Sequence, residues 1–193
     1  MNIDSRRKIK EMIVNQKTAS IWLVGLSGSG KSTLAYELDI ALAAQGYLSV
    51  ILDGDDIRKG LNSNLGYTES DRSENIRRIA EVSKLFVNNG VITINAFICP
   101  TEKMRIMAKE IIGEEDFILI YLDSPIEVCE KRDVKGFYKK ARKGEIKNFT
   151  GISADFEKPK KADLIIDTAN NEVDECMVKL VNYVLPRISG KIQ

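Results

Sequence analysis

Residues Gly25-Leu26-Ser27-Gly28-Ser29-Gly30-Lys31-Ser32-Thr33 fill the pattern G-x-x-x-x-G-K-[ST] with Gly25, Gly30, Lys31 and Ser32. Just before this run, Ser20-Ile21-Trp22-Leu23-Val24 reads as a buried strand, and just after it Leu34 to Gln45 carries an apolar helical stripe. A strand, a glycine turn and a helix start are what a phosphate cradle requires. Glycines let successive backbone N–H groups converge on an anion, and the helix N-terminus adds partial positive charge. Lys31 is placed to reach the outer phosphates of a bound nucleotide, and Ser32 to ligate Mg²⁺.

Outward from that run, strand and helix alternate. Strands are expected at Ser20 to Val24, Leu48 to Leu52, Val91 to Ala96, Phe117 to Leu122 and Leu164 to Ile166. Helices are expected at Ser5 to Asn15, Ser70 to Asn89, Thr101 to Ile112, Pro125 to Arg132 and Val173 to Ile188, besides the one after the glycine run. This alternation argues an α/β fold of three layers with a mostly parallel five-stranded sheet. The division expected is an N-terminal helical extension over residues 1–19 and one domain over 20–193. In the extension, Ile9, Met12 and Ile13 fit one helical face, suited to packing or to an interface.

Composition narrows the function. Lys and Arg number 29 against 28 Asp and Glu, so net charge gives no argument for a nucleic-acid or membrane-surface partner. Histidine is absent, which excludes His-based triads and His-ligated zinc and leaves carboxylates, Lys, Tyr or Cys as acids and bases. Three cysteines without metal-type spacing point to a reducing compartment, the cytoplasm.

In a parallel α/β sheet, ligands bind at the carboxyl ends of the strands. The second strand delivers Asp53-Gly54-Asp55-Asp56 there. Asp53 and Asp55 are candidate Mg²⁺ partners and Asp55 a candidate base, although a helix cap or turn would use the same residues. Asp123, at the end of the fourth strand, reads as the cap of the helix starting at Ser124-Pro125. Arg58, Arg72, Asn75, Arg77 and Arg78 follow the acidic loop, and Arg72 and Asn75 share one helical face, as a common phosphate or sulfate ligand requires. Tyr67, Phe97 and Phe149 offer faces for a purine base or for the core. Arg132 to Lys147 is rich in Lys and Arg with two glycines, consistent with a solvated face or with a basic lid, about residues 132–150, closing over a triphosphate.

Together these residues resemble the adenylylsulfate kinase family. The likeness rests on the glycine run, Asp53-Gly-Asp, Arg58, Leu65-Gly-Tyr, Asp71-Arg72, Glu74-Asn-Ile-Arg-Arg, Lys135-Gly-Phe-Tyr-Lys-Lys-Ala-Arg and Phe149-Thr-Gly-Ile, in matching order from about Ile21 to Thr168. It implies a P-loop kinase fold and transfer of the γ-phosphoryl group of MgATP to the 3′-hydroxyl of adenosine 5′-phosphosulfate. Carried over by position, it implies an ATP site at Gly28, Ser29, Gly30, Lys31, Ser32 and Thr33 with Arg132 near the adenine. It further implies a sulfonucleotide site at Arg58, Tyr67, Arg72, Asn75, Ile98, Cys99, Lys135 and Phe149, with Asp55 on the attacking hydroxyl, and a homodimer. Besides the mild Tyr67 for Phe and Phe156 for Tyr, two departures from the family pattern bear on the acceptor: Cys99 stands where a serine, sometimes assigned as a phosphorylated intermediate, is usual, and Asp56 where an asparagine is usual. Those departures keep open a related kinase acting on another nucleotide-linked anion, such as cytidine diphosphoramidate, and, in a different class, a silent nucleotide-binding subunit.

Overall fold

The computed structural model describes residues 3–190; residues 1–2 and 191–193, the outer ends of the two expected segments, lie outside the described residues. Five parallel strands, β1 (Ser20–Val24), β2 (Ser49–Asp53), β3 (Ile92–Phe97), β4 (Phe117–Asp123) and β5 (Leu164–Asp167), form one sheet in the order β2-β3-β1-β4-β5. β1 lies at the centre, with Ile21 opposite Ile94 on one side and Ile118 on the other. All five of its residues are buried. Sheets covered on both faces select such continuous apolar runs, which is why this strand was legible without alternation.

Successive side chains of β1 feed two cores, as the period of two dictates. Ile21 and Leu23 pack with Leu34, Leu38 and Leu42 of α2 (Lys31–Ala43) and Leu180 and Val184 of α8 (Val173–Ile188). Trp22 and Val24 pack with Ile76 and Ile79 of α4 (Glu69–Val87) and Met104 and Ala108 of α5 (Glu102–Ile112). The result is the expected three-layer α/β sandwich. Two short helices were not expected: α3 (Gly54–Lys59), in what reads as a loop, and α7 (Phe137–Arg142), inside the basic stretch. The helix α6 (Ile126–Arg132) has Pro125 as its N-cap, so Pro125 stands one residue ahead of the first turn. Asp123 does not cap it; its carboxylate accepts hydrogen bonds from Tyr121 Oη (2.9 Å) and Lys158 Nζ (3.2 Å) instead.

The helix α1 (Ile3–Val14) turns its polar side to the body. Arg7 donates to both carboxylate oxygens of Asp116 at 2.6 Å, and Glu11 accepts from Thr18 N at 2.9 Å. Ile9, Met12 and Ile13 are 47%, 60% and 78% exposed, so the apolar stripe faces away from the core. Gly90, at φ +84°, lies against this helix, where a Cβ would sit 2.8 Å from that of Lys10. Beyond α1, the fully buried Gln16 donates to the carbonyls of Leu48 and Gly90, both at 2.9 Å, and accepts from Leu48 N at 2.8 Å. Its replacement by alanine takes the partner from Leu48 N and from the buried Gly90 carbonyl, while the Leu48 carbonyl keeps its bond from Ile92 N at 3.1 Å. Unfolding in urea should show Gln16→Ala destabilised by about 2–4 kcal/mol.

Candidate active site

The carboxyl ends of the strands open onto a cavity of about 930 Å³. The glycine run forms its floor. α2 begins at Lys31, three residues earlier than its apolar stripe suggests, and Gly30 is its N-cap at φ +92°. The backbone N–H groups of Lys31, Ser32 and Thr33 are therefore free first-turn donors of a helix, at the point where its dipole favours an anion. Gly28, at φ +77°, has the carbonyl oxygen of Cys129 2.8 Å from where a Cβ would stand, so both conformation and space demand glycine. Gly28, Gly30, Lys31, Ser32 and Thr33 line the cavity. Gly25 and Ser29 lie behind the loop: a Cβ on Gly25 would meet Ser29 Oγ at 2.6 Å and the carbonyl of Leu122 at 2.8 Å.

Lys31 is half-buried, and its ammonium donates to the carbonyl of Leu26 at 2.6 Å. Burial lowers its pKa to about 8; Asp53 works in the opposite direction and Lys135 adds to the lowering. Ser32 Oγ donates to Asp53 Oδ2 at 2.6 Å, while the other carboxylate oxygen of Asp53 accepts from Asp55 N at 2.9 Å and caps α3. One side chain thus starts a helix and reaches toward the phosphate loop. A hydroxyl and a carboxylate side by side are hard oxygen donors of the kind Mg²⁺ takes when phosphates and water complete its shell. Among the described residues no group of three or more His, Cys, Asp or Glu could hold a metal alone. Asp55, also lining the cavity, forms an ion pair with Lys135 from the basic stretch.

The far side of the cavity is cationic and aromatic. The Arg58 and Arg72 guanidinium carbons lie 4.5 and 5.6 Å from the centre of the Tyr67 ring. Arg58 donates to the carbonyls of Leu65 and Gly66, and Arg72 to those of Tyr67 and Asn148. Neither has a carboxylate partner among the described residues, and burial together with Arg58 lowers the pKa of Arg72. Arg77 and Arg78 do not join them: both pair with Glu74, outside the cavity. Asn75 is buried at the cavity wall, where its Oδ1 accepts from Asn62 Nδ2 at 3.0 Å. Phe149 stands edge-on to Tyr138, with ring centres 5.0 Å apart. Phe97 lines the cavity as well but packs 6.1 Å from Trp22, as a core residue.

The two departures fall differently. Asp56 pairs with Lys59 at 2.8 Å and does not line the cavity. Cys99 lines it beside Ile98, with φ +44° and its carbonyl held by Arg105 Nη1 at 2.9 Å. Burial pushes its thiol up to about 12. Arg132 reaches back to donate to the carbonyls of Thr168 (2.5 Å) and Gly28 (3.4 Å). Beyond the residues singled out from sequence, Tyr138 and the segment Thr168–Val173 also line the cavity. The segment was recoverable in principle, because it follows the carboxyl end of β5.

A family model described as adenylylsulphate kinase matches residues 17–167. An adenylyl-sulfate kinase of Bacteroides thetaiotaomicron is 55% identical over 185 residues, 96% of this chain and 92% of that protein. One of Clostridium acetobutylicum is 50% identical over 179 residues, 93% and 89%. Among solved structures, the Mycobacterium tuberculosis APS kinase in complex with AMPPNP and APS superposes with a TM-score of 0.84 at 36% identity, covering 87% of this chain and 98% of that one.

Proposed function

The chain belongs to the adenylylsulfate kinase family, and on that premise we propose that its cavity transfers the γ-phosphoryl group of ATP to the 3′-hydroxyl of adenosine 5′-phosphosulfate, releasing ADP. The observation that carries this reading is the pair Arg58 and Arg72 flanking Tyr67 without carboxylate partners, in the same cavity as the phosphate loop. Two uncompensated cations beside an aromatic face suit an acceptor that carries a base and an anionic phosphosulfate.

In this reading ATP lies over Gly28 to Thr33, with its adenine toward Arg132 and Thr168–Val173. Lys31 leaves the Leu26 carbonyl for the β and γ phosphates. Ser32 and Asp53 would hold Mg²⁺, which when bound would neutralise charge on the phosphate oxygens. Asp55 orients the acceptor hydroxyl and takes its proton as oxygen attacks phosphorus in line. Lys135 gives up Asp55 to engage the acceptor, whose base lies against Phe149. The enzyme works as a cytoplasmic homodimer; the outward apolar stripe of α1 supports the association, and among the described residues no helix is long and apolar enough to cross a membrane.

A direct transfer needs no phosphorylated enzyme, and a thiol held protonated by burial is a poor nucleophile. Cys99→Ala should keep turnover within about threefold of the parent, and mass spectrometry should find no phosphoryl group at position 99 of the parent after incubation with ATP. A profound loss accompanied by phosphorylation there would overturn direct transfer. The reading as a whole is tested by ADP release with adenosine 5′-phosphosulfate against cytidine diphosphoramidate. Turnover with the first is expected, and turnover with the second alone would sink it. With Asp56 paired to Lys59 outside the cavity, the charge that made another acceptor attractive does not line the site.

A further inference from the structure

Four consecutive carbonyls of the phosphate loop each accept a hydrogen bond from a side chain. Leu26 O accepts from Lys31 Nζ (2.6 Å), Ser27 O from Tyr138 Oη (2.9 Å), Gly28 O from Arg132 Nη1 (3.4 Å) and Ser29 O from Thr168 Oγ1 (2.9 Å). A trans peptide is planar, with its C=O and N–H pointing opposite ways. A carbonyl tied to one side therefore fixes the N–H of the next residue toward the other, and Tyr138 sets the Ser27–Gly28 peptide in this manner.

Tyr138 is the one of these donors that also touches the acceptor half. Its ring meets Phe149 edge-on at 5.0 Å and is 1% exposed. Its own backbone is fixed as well: the Asp133 carboxylate accepts from the N–H groups of Tyr138 and Lys139, both at 3.0 Å, at the start of α7. Ring, hydroxyl and backbone thus join the acceptor stack, the donor loop and the basic segment in a rigid unit. Burial also raises the phenol pKa, so the hydroxyl remains a donor across the working range.

We propose that Tyr138 is a positioning residue that couples the two nucleotide sites, so that an acceptor base held against Phe149 steadies the phosphate loop through the Tyr138 hydroxyl on Ser27. The inference rests on the site assignment given under Proposed function. Coupling of this kind is reciprocal: each ligand tightens the other by the same factor.

The test is titration calorimetry of the non-hydrolysable analogue AMPPNP with and without saturating adenosine 5′-phosphosulfate, and the reverse, on the full chain and two variants. The parent should show each ligand tightening the other about fivefold or more. Tyr138→Phe keeps the ring on Phe149 and removes the hydroxyl; it should bring that factor to within twofold of unity while leaving affinity for the acceptor alone unchanged. Phe149→Leu keeps the hydroxyl bond and removes the ring contact; it should lower the factor similarly and weaken the acceptor alone. A parent-like factor in Tyr138→Phe overturns the inference, as does a parent that binds both ligands independently, and both results leave the proposed reaction standing. Failure of the parent to bind adenosine 5′-phosphosulfate at all removes the proposed reaction, and this inference with it.

Discussion

Lys31→Ala is expected to lower kcat by about 10²–10³-fold, the size that follows when a single preorganised charge that stabilises the transferring group is removed. Lys31 opens α2 beside the first-turn N–H groups where the phosphoryl oxygens would gather, and its ammonium rests on the Leu26 carbonyl at 2.6 Å. Burial lowers its pKa from the ordinary 10.5 to about 8, so in the empty enzyme the positive charge is present below that pH and lost above it. A triphosphate brought within contact favours the charged form and raises the pKa again. ATP binding at pH 8.5 should therefore take up a fraction of a proton, read by calorimetry in buffers of different ionisation enthalpy. The uptake should shrink toward neutral pH, where the free lysine is already charged, and vanish in Lys31→Ala. A variant with parent turnover and parent proton uptake would take Lys31 out of the mechanism.

Why some of this architecture was legible and some was not follows from how each element is stabilised. The five strands stand out because both faces of the sheet are covered, which makes runs such as Phe117-Ile118-Leu119-Ile120 apolar throughout. α4 stands out because Ile76, Ile79, Ala80 and Ser83 form a buried stripe, with the hydroxyl of Ser83 satisfied by Asn95 Oδ1 at 2.8 Å. α3 has no such stripe. Its six residues hold one aliphatic side chain, and it forms because Asp53 caps it at the end of β2. α7 is hidden for the same reason, in a stretch of lysines and arginines where only Tyr138 and Ala141 are buried. Sequence periodicity reports a helix that packs by a stripe, and is silent where a cap and one deep aromatic suffice.

The site divides along the same line. Lys31, Asp53, Asp55, Arg58, Arg72 and Asn75 could be singled out as cavity residues because phosphate, metal and anion binding each call for a particular residue type at the carboxyl ends of the strands. Asp123 was misread because an aspartate before Ser-Pro has the composition of a cap, and its actual partners, Tyr121 and Lys158, include one distant in sequence. Of the two uses open to the apolar face of α1, packing or an interface, packing on the body is not the one seen, because Ile9, Met12 and Ile13 face away from the core. Its specific contacts to the body come from Arg7, Lys10 and Glu11, and nothing in a helical wheel says that polar side chains will form the inner face.

Asp55→Asn is expected to lower kcat by about 10²–10⁴-fold, the range a positioned general base contributes, if Asp55 takes the proton as proposed. The substitution preserves shape and hydrogen-bonding reach but cannot take a proton from the acceptor hydroxyl. It also frees Lys135, whose ammonium pairs with Asp55, and the two consequences separate kinetically. If the ion pair served only to hold the basic segment closed, Lys135→Met and Asp55→Asn would produce equal losses. In the proposed reaction Lys135 engages the acceptor, so Lys135→Met should act mainly on KM for adenosine 5′-phosphosulfate, whereas Asp55→Asn should act on kcat with both substrates saturating. ADP release from the two single variants and the double variant measures this directly. Turnover within tenfold of the parent in Asp55→Asn would remove the carboxylate from the proton's path. A loss confined to KM would reduce Asp55 to a partner of the basic segment, and leave the hydroxyl to surrender its proton to the phosphoryl group it attacks.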